Sequence, residues 1–90
     1  MDLSNKIALV TGAGSGIGRA TSLEMAAAGA EIVLVDVDGP KTNSVSDQVR
    51  ALGRRAVVHE TNVADHTAVE RMVDEVWNDF GPIDILVNNA

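Results

Sequence analysis

The stretch Thr11-Gly12-Ala13-Gly14-Ser15-Gly16-Ile17-Gly18 decides the reading of this chain. An apolar run, Ile7-Ala8-Leu9-Val10, precedes it and an alanine-rich amphipathic stretch follows, which is the layout of a phosphate-cradling turn between a strand and a helix. Side chains at such a bend would hold a ligand away from the backbone. Glycines let main-chain N–H groups and the positive end of the helix reach a pyrophosphate. The spacing narrows the motif. A G-x-G-x-x-G turn needs glycine where Ile17 stands, and a P-loop needs Lys-Ser or Lys-Thr where Arg19-Ala20 follow. The pattern present is T-G-x-x-x-G-x-G, with Thr11, Gly12, Gly16 and Gly18 in register.

Working outward, short apolar runs at 6–11, 31–36, 56–60 and 83–88 alternate with longer stretches of helical period. That alternation predicts βαβ units and a parallel sheet. With right-handed crossovers the strand order is 3-2-1-4, the first two helices lie on one face and the third alone on the other. The fold class is α/β, the first half of a Rossmann-type doubly wound sheet. The first helix runs roughly over 16–28, with Ile17, Ala20, Leu23 and Ala27 toward the sheet and Gly29 as its stop. The second runs roughly over 40–52, opened by Pro40, closed by Gly53 and striped by Val45, Val49 and Leu52. In the third, Val69, Met72, Val73, Val76, Trp77 and Phe80 fall at steps of 3 and 4 and read as core, and Thr67-x-x-Glu70 reads as a capping box. An apolar fourth strand at the sheet edge, beside a partly covered face, predicts self-association.

Composition removes several functions. Ninety residues make one small domain, 1–90, able to bury only about 60% of its unfolded surface. A net charge of −6 and a pI near 4.6, with no basic cluster beyond Arg54-Arg55, disfavour nucleic acid and anionic membrane surfaces as partners. There is no cysteine, hence no disulfide framework and no thiolate chemistry. Residues 1–6 lack the basic segment and apolar core of a signal peptide, and no stretch approaches the length of a membrane span, so a cytoplasmic location is expected. His59 and His66 stand without a Cys or second His at ligand spacing and read as ordinary strand-end and helix-start residues, with no metal site implied.

The T-G-x-x-x-G-x-G run resembles the cofactor loop of the short-chain dehydrogenase/reductase family. Asp84-x-Leu86-Val87-Asn88-Asn89-Ala90 resembles that family's D-x-L-V-N-N-A-G element, cut before its last glycine. The resemblance spans the whole chain and implies a dinucleotide site built from Gly12, Ser15, Gly16, Ile17, Gly18, Asp36, Asn62, Val63, Asn88, Asn89 and Ala90. Asp36, 18 residues past Gly18, would accept hydrogen bonds from the adenosine ribose and repel the extra phosphate of NADP. Ser15 stands where relatives preferring NADP often carry Arg or Lys, and Val37-Asp38 replace the Arg such relatives often place after this strand. The cofactor expected is NAD. Asn62 would offer its amide oxygen to the adenine amino group, while Asn88 and Asn89 would fix the fourth strand and approach the cofactor ribose. For each of these polar residues, plain turn or cap chemistry is the competing reading.

The same resemblance implies a catalytic Ser, a Tyr within Y-x-x-x-K and its Lys. This chain has no tyrosine, and its only lysines are Lys6 and Lys41. The leading expectation is therefore the N-terminal, NAD-binding portion of an oxidoreductase acting on alcohols or carbonyls, with a small-molecule substrate only in a longer form and no catalytic residue here. A stand-alone nucleotide-binding or self-associating module is the alternative. An S-adenosylmethionine-dependent methyltransferase fragment also fits Gly12-x-Gly14-x-Gly16, but Val10 occupies the place of its usual acidic residue.

Overall fold

A computed structural model describes residues 1–89. The elements alternate as β1 (Ile7–Thr11), α1 (Gly16–Ala27), β2 (Glu31–Asp36), α2 (Gly39–Ala51), β3 (Ala56–Glu60), α3 (His66–Asp79) and β4 (Ile85–Val87). All strands pair in parallel, in the order β3-β2-β1-β4. This is the predicted half of a doubly wound sheet. The central strands read as apolar runs because both of their faces are covered: Ile32, Val33, Leu34 and Val35 are each fully buried.

Alternation along the strands divides the core in two. Ala8, Val10, Ile32 and Leu34 meet Ala26 of α1 and Val45 and Val49 of α2. Ile7, Leu9, Val33 and Val35 meet Met72 and Val76 of α3 on the opposite face. Two helices therefore cover one face and one helix the other, as expected. The less covered face keeps an apolar groove of about 540 Å³ lined in part by Leu9, Val69, Met72, Val73, Ile83 and Leu86.

Several details depart from the sequence reading. The buried side of α1 is Gly18, Ser22 and Ala26, while Ile17 is 75% exposed and Ala20 and Ala27 also face solvent. The spacing of four lets the smallest residues meet the sheet, and Ser22 enters the interior because its hydroxyl donates to the Gly18 carbonyl at 2.8 Å. In α2 the stripe is Thr42, Val45, Ser46 and Val49, with Leu52 at the exposed end. Thr42 enters this stripe because its buried hydroxyl donates to the Asp38 carbonyl at 2.6 Å. Trp77, read as core, is 62% exposed. It lies one residue beyond Val76, about 100° around the helix, whereas Val73 lines the apolar groove.

The capping box at Thr67 is also corrected. Asp65 is the cap of α3, its side chain accepting from the Ala68 N–H at 3.1 Å. Thr67 sits inside the first turn. The fourth strand is shorter than 83–88 because Asp84 continues the ladder partly by its side chain: its N–H donates to the Ile7 carbonyl while its Oδ2 accepts from the Ile7 N–H, both at 2.9 Å. Asp65→Ala should lower stability by about 1 kcal/mol and Thr67→Ala by less than about 0.5 kcal/mol in urea unfolding. Equal losses would contradict the cap assignment.

Candidate functional site

The glycine loop leaves β1 at Thr11 and turns through left-handed backbone at Gly12 (φ 62°) and Gly16 (φ 57°), conformations that favour glycine. At Gly18 the reason for glycine is space. A Cβ there would fall onto the Gly12 carbonyl oxygen, so the first turn of α1 lies directly against the loop backbone.

The start of α1 differs from the other two helices among the described residues. Asp38 caps α2 by accepting from Lys41 N–H at 3.0 Å, and Asp65 caps α3. Ser15, the cap residue of α1, makes no side-chain cap bond, and no acidic residue lies in the first turn. The positive end of this helix is thus left unanswered by its own side chains.

Asp36, at the end of β2, is locked to this loop. Its Oδ2 accepts from the Gly14 N–H at 2.9 Å and its Oδ1 from the Asp38 N–H at 3.0 Å. Desolvation pushes the carboxyl pKa upward, but the backbone N–H groups of Asp38, Gly14 and Val37 and the charge of Lys41 outweigh it, holding the group below the ordinary 3.8. A Cβ at Gly14 would come within 3.1 Å of that carboxylate. The loop and the acid therefore fit each other.

Two adjoining clefts share Gly12 and Asp36. One, of about 300 Å³, is lined by Gly12, Ser15, Ile17, Gly18, Asp36 and Asn89. The other, of about 150 Å³, adds Val35, Val37, Thr61, Asn62 and Val63. Eight of the predicted site residues thus line one trough at the C-terminal end of the strands, and Gly16 opens α1 between Ser15 and Ile17, which both line it. Ligand crevices of open α/β sheets lie at that end.

Asn88 is not brought there. It lines the apolar groove on the other face, and its Oδ1 accepts from the Thr11 hydroxyl at 2.9 Å. That hydroxyl in turn accepts from the Asn89 N–H at 2.9 Å, tying the end of β4 to the end of β1. Asn88 thus lies at the junction of β1 and β4, on the groove side. Asn62 is also partly engaged, since its Oδ1 accepts from the Ala64 N–H at 2.9 Å in a local turn. Ala90 lies outside the described residues. Val37 and Thr61 line the trough and Thr11 ties its rim to β4, and no motif in the sequence marks Val37 or Thr61. Each of the three directly precedes or follows a predicted site residue, which is the available clue.

A family model for short chain dehydrogenases matches residues 6–90. The chain belongs to this family. A meso-2,3-butanediol dehydrogenase of Serratia marcescens is 41% identical over 90 residues, covering all of this chain and 35% of the relative. A 1-deoxy-11-beta-hydroxypentalenate dehydrogenase of Streptomyces exfoliatus is 39% identical over the whole chain and 33% of its own length. Among solved structures, an NAD+-bound xylitol dehydrogenase superposes with a TM-score of 0.97 at 40% identity, again over the whole chain and 35% of the neighbour. The chain thus spans about a third of the length of these short-chain dehydrogenases.

Because the folded-state pKa of Asp36 is lowered, its contribution to stability is fully present above about 3.8 and is lost as pH falls through the lower folded value. Unfolding midpoints measured from about pH 6 to about pH 3 should therefore fall more steeply for the native chain than for Asp36→Asn. Parallel curves would contradict the hydrogen-bonded carboxylate.

Proposed function

We propose that this chain is the NAD-binding N-terminal portion of a short-chain dehydrogenase/reductase whose longer form moves hydride between a nicotinamide and an alcohol or carbonyl substrate. One observation carries the reading: the uncapped start of α1 and the carboxylate of Asp36 open onto the same trough, 2.9 Å being the link between Asp36 and the loop at Gly14. A dinucleotide has the matching pair of groups, a pyrophosphate and a ribose diol.

In this reading the N–H groups around Gly16, Ile17 and Gly18 hold the pyrophosphate. Asp36 accepts from the adenosine ribose hydroxyls, and Val37 and Val63, exposed at 64% and 41%, flank the adenine with Asn62 at its edge. Ser15 and Asn89 border the pyrophosphate side of the trough. Asn88 braces the fourth strand from the far face through Thr11. The nicotinamide, when bound, supplies the hydride acceptor or donor. This portion contributes binding and orientation, since its sequence has no tyrosine and only Lys6 and Lys41 as lysines.

NAD is favoured over NADP by the charge of Asp36, held in its ionised form by backbone N–H groups, and by the lack of any basic residue at Ser15 or Val37. The NAD+-bound xylitol dehydrogenase lends support from the side of the relatives. The cytoplasmic location belongs to the same reading; the structure itself offers only that none of the described helices is long and apolar enough to cross a membrane.

Calorimetric titration with each dinucleotide tests the assignment. The native chain should bind NAD+ more tightly than NADP+, and Asp36→Ala combined with Val37→Arg should shift the ratio of dissociation constants by about tenfold or more toward NADP+, the size of a charge reversal near a phosphate. An unchanged ratio would defeat it.

A further inference from the structure

The parallel register sets Glu60, the last residue of β3, beside Asp36, the last residue of β2. Both continue the face of the sheet that carries Leu34 and Val58 toward α1 and α2. Like charges at neighbouring strand positions oppose pairing. Neither carboxylate has an ion-pair partner within 4.0 Å among the described residues. No close ion pair balances the two charges, and Lys41 acts on Asp36 only from a longer distance.

The two carboxylates do different things. Asp36 turns toward the glycine loop, whereas Glu60 reaches the start of α2. A Cβ built at Gly39 would lie 2.8 Å from Glu60 Oε2 and 3.1 Å from its Cδ. Gly39 is buried and has no positive φ, so backbone conformation does not require glycine there. The missing side chain makes room for the Glu60 carboxylate.

At this helix start the Gly39 N–H is the donor that α2 leaves open. Asp38 accepts from the Lys41 N–H, the Thr42 N–H donates to the Asp38 carbonyl at 3.1 Å, and Pro40 has no N–H. A helix N-terminus adjoining a ribose-binding carboxylate is where a phosphate on the 2′ oxygen would otherwise find donors and positive potential. We propose that Glu60 is a second determinant of dinucleotide choice: its carboxylate, seated over Gly39, occupies the start of α2 and denies that position to the 2′-phosphate of NADP. The proposal rests on the reading of the trough as a dinucleotide site and adds a specificity residue from a third strand.

The test is calorimetric titration of the chain with NAD+ and with NADP+ at low ionic strength, for the native protein, Glu60→Gln, Gly39→Ala and Glu24→Gln. Glu24 is exposed toward the far end of α1 and removes the same charge away from the trough. Glu60→Gln should tighten NADP+ about three- to tenfold, the effect of one nearby exposed like charge, and change NAD+ by less than about twofold. Gly39→Ala, whose methyl displaces the carboxylate, should move the ratio in the same direction. Glu24→Gln should leave it unmoved, and the Glu60→Gln gain should shrink at about 1 M salt, where the screening length is roughly 3 Å. NAD+ binding with an unmoved ratio in Glu60→Gln, or an equal shift in Glu24→Gln, overturns the role of Glu60 alone. Failure of the native chain to bind either dinucleotide overturns the reading of the site itself.

Discussion

Every α-helix begins with backbone N–H groups that its own ladder cannot satisfy, and the treatment of those groups organises this protein. At α2 and α3 an aspartate at the cap position accepts one of them. At α1 the cap is Ser15, whose side chain makes no such bond, and the preceding loop holds only glycine and alanine. Close packing holds the arrangement: glycine at position 18 lets the first helical turn lie on the Gly12 carbonyl, and Asp36 fastens the loop from the next strand through the Gly14 N–H. The helix start, the loop and the acid thus form one rigid unit at the C-terminal end of a buried parallel sheet.

That sheet depends on the same economy of side chains. Gly18, Ser22 and Ala26 bring α1 close to the central strands, which frees the first core face for Val45 and Val49 of α2. The second face is served by α3 alone, and apolar surface at Val73 and Leu86 beside it is exposed. A chain spanning about a third of its relatives' length is expected to leave such surface, since a doubly wound sheet covers both faces only with helices from both halves.

Much of this was legible in the sequence for definite physical reasons. Continuous runs such as Ile32-Val33-Leu34-Val35 announce strands buried on both faces, and the alternation with helical stretches leaves few topologies once crossovers are right-handed. The glycine loop was legible because its spacing reflects backbone geometry. Less legible was which side of a helix turns inward when most of its residues are small. Ile17 looked like an anchor by hydrophobicity, yet close approach selects Gly18 and Ser22. The α3 cap was misread because Thr67 and Asp65 both precede the apolar stripe, and only the chain path decides which side chain meets a free N–H. Asn88 and Asn89 look equivalent in sequence. Just past the end of β4 they part, one bracing Thr11 from the groove side and the other lining the trough.

The central claim is that the open start of α1 and the end of β2 receive one dinucleotide. Amide chemical shifts of the isotopically labelled chain during titration with NAD+ test it most directly. The account predicts that the largest changes fall on Gly14, Gly16, Ile17 and Gly18 and on the segment from Asp36 to Asp38, with α3 little affected. Changes confined to the groove between α3 and β4, or none at saturating NAD+, would contradict it.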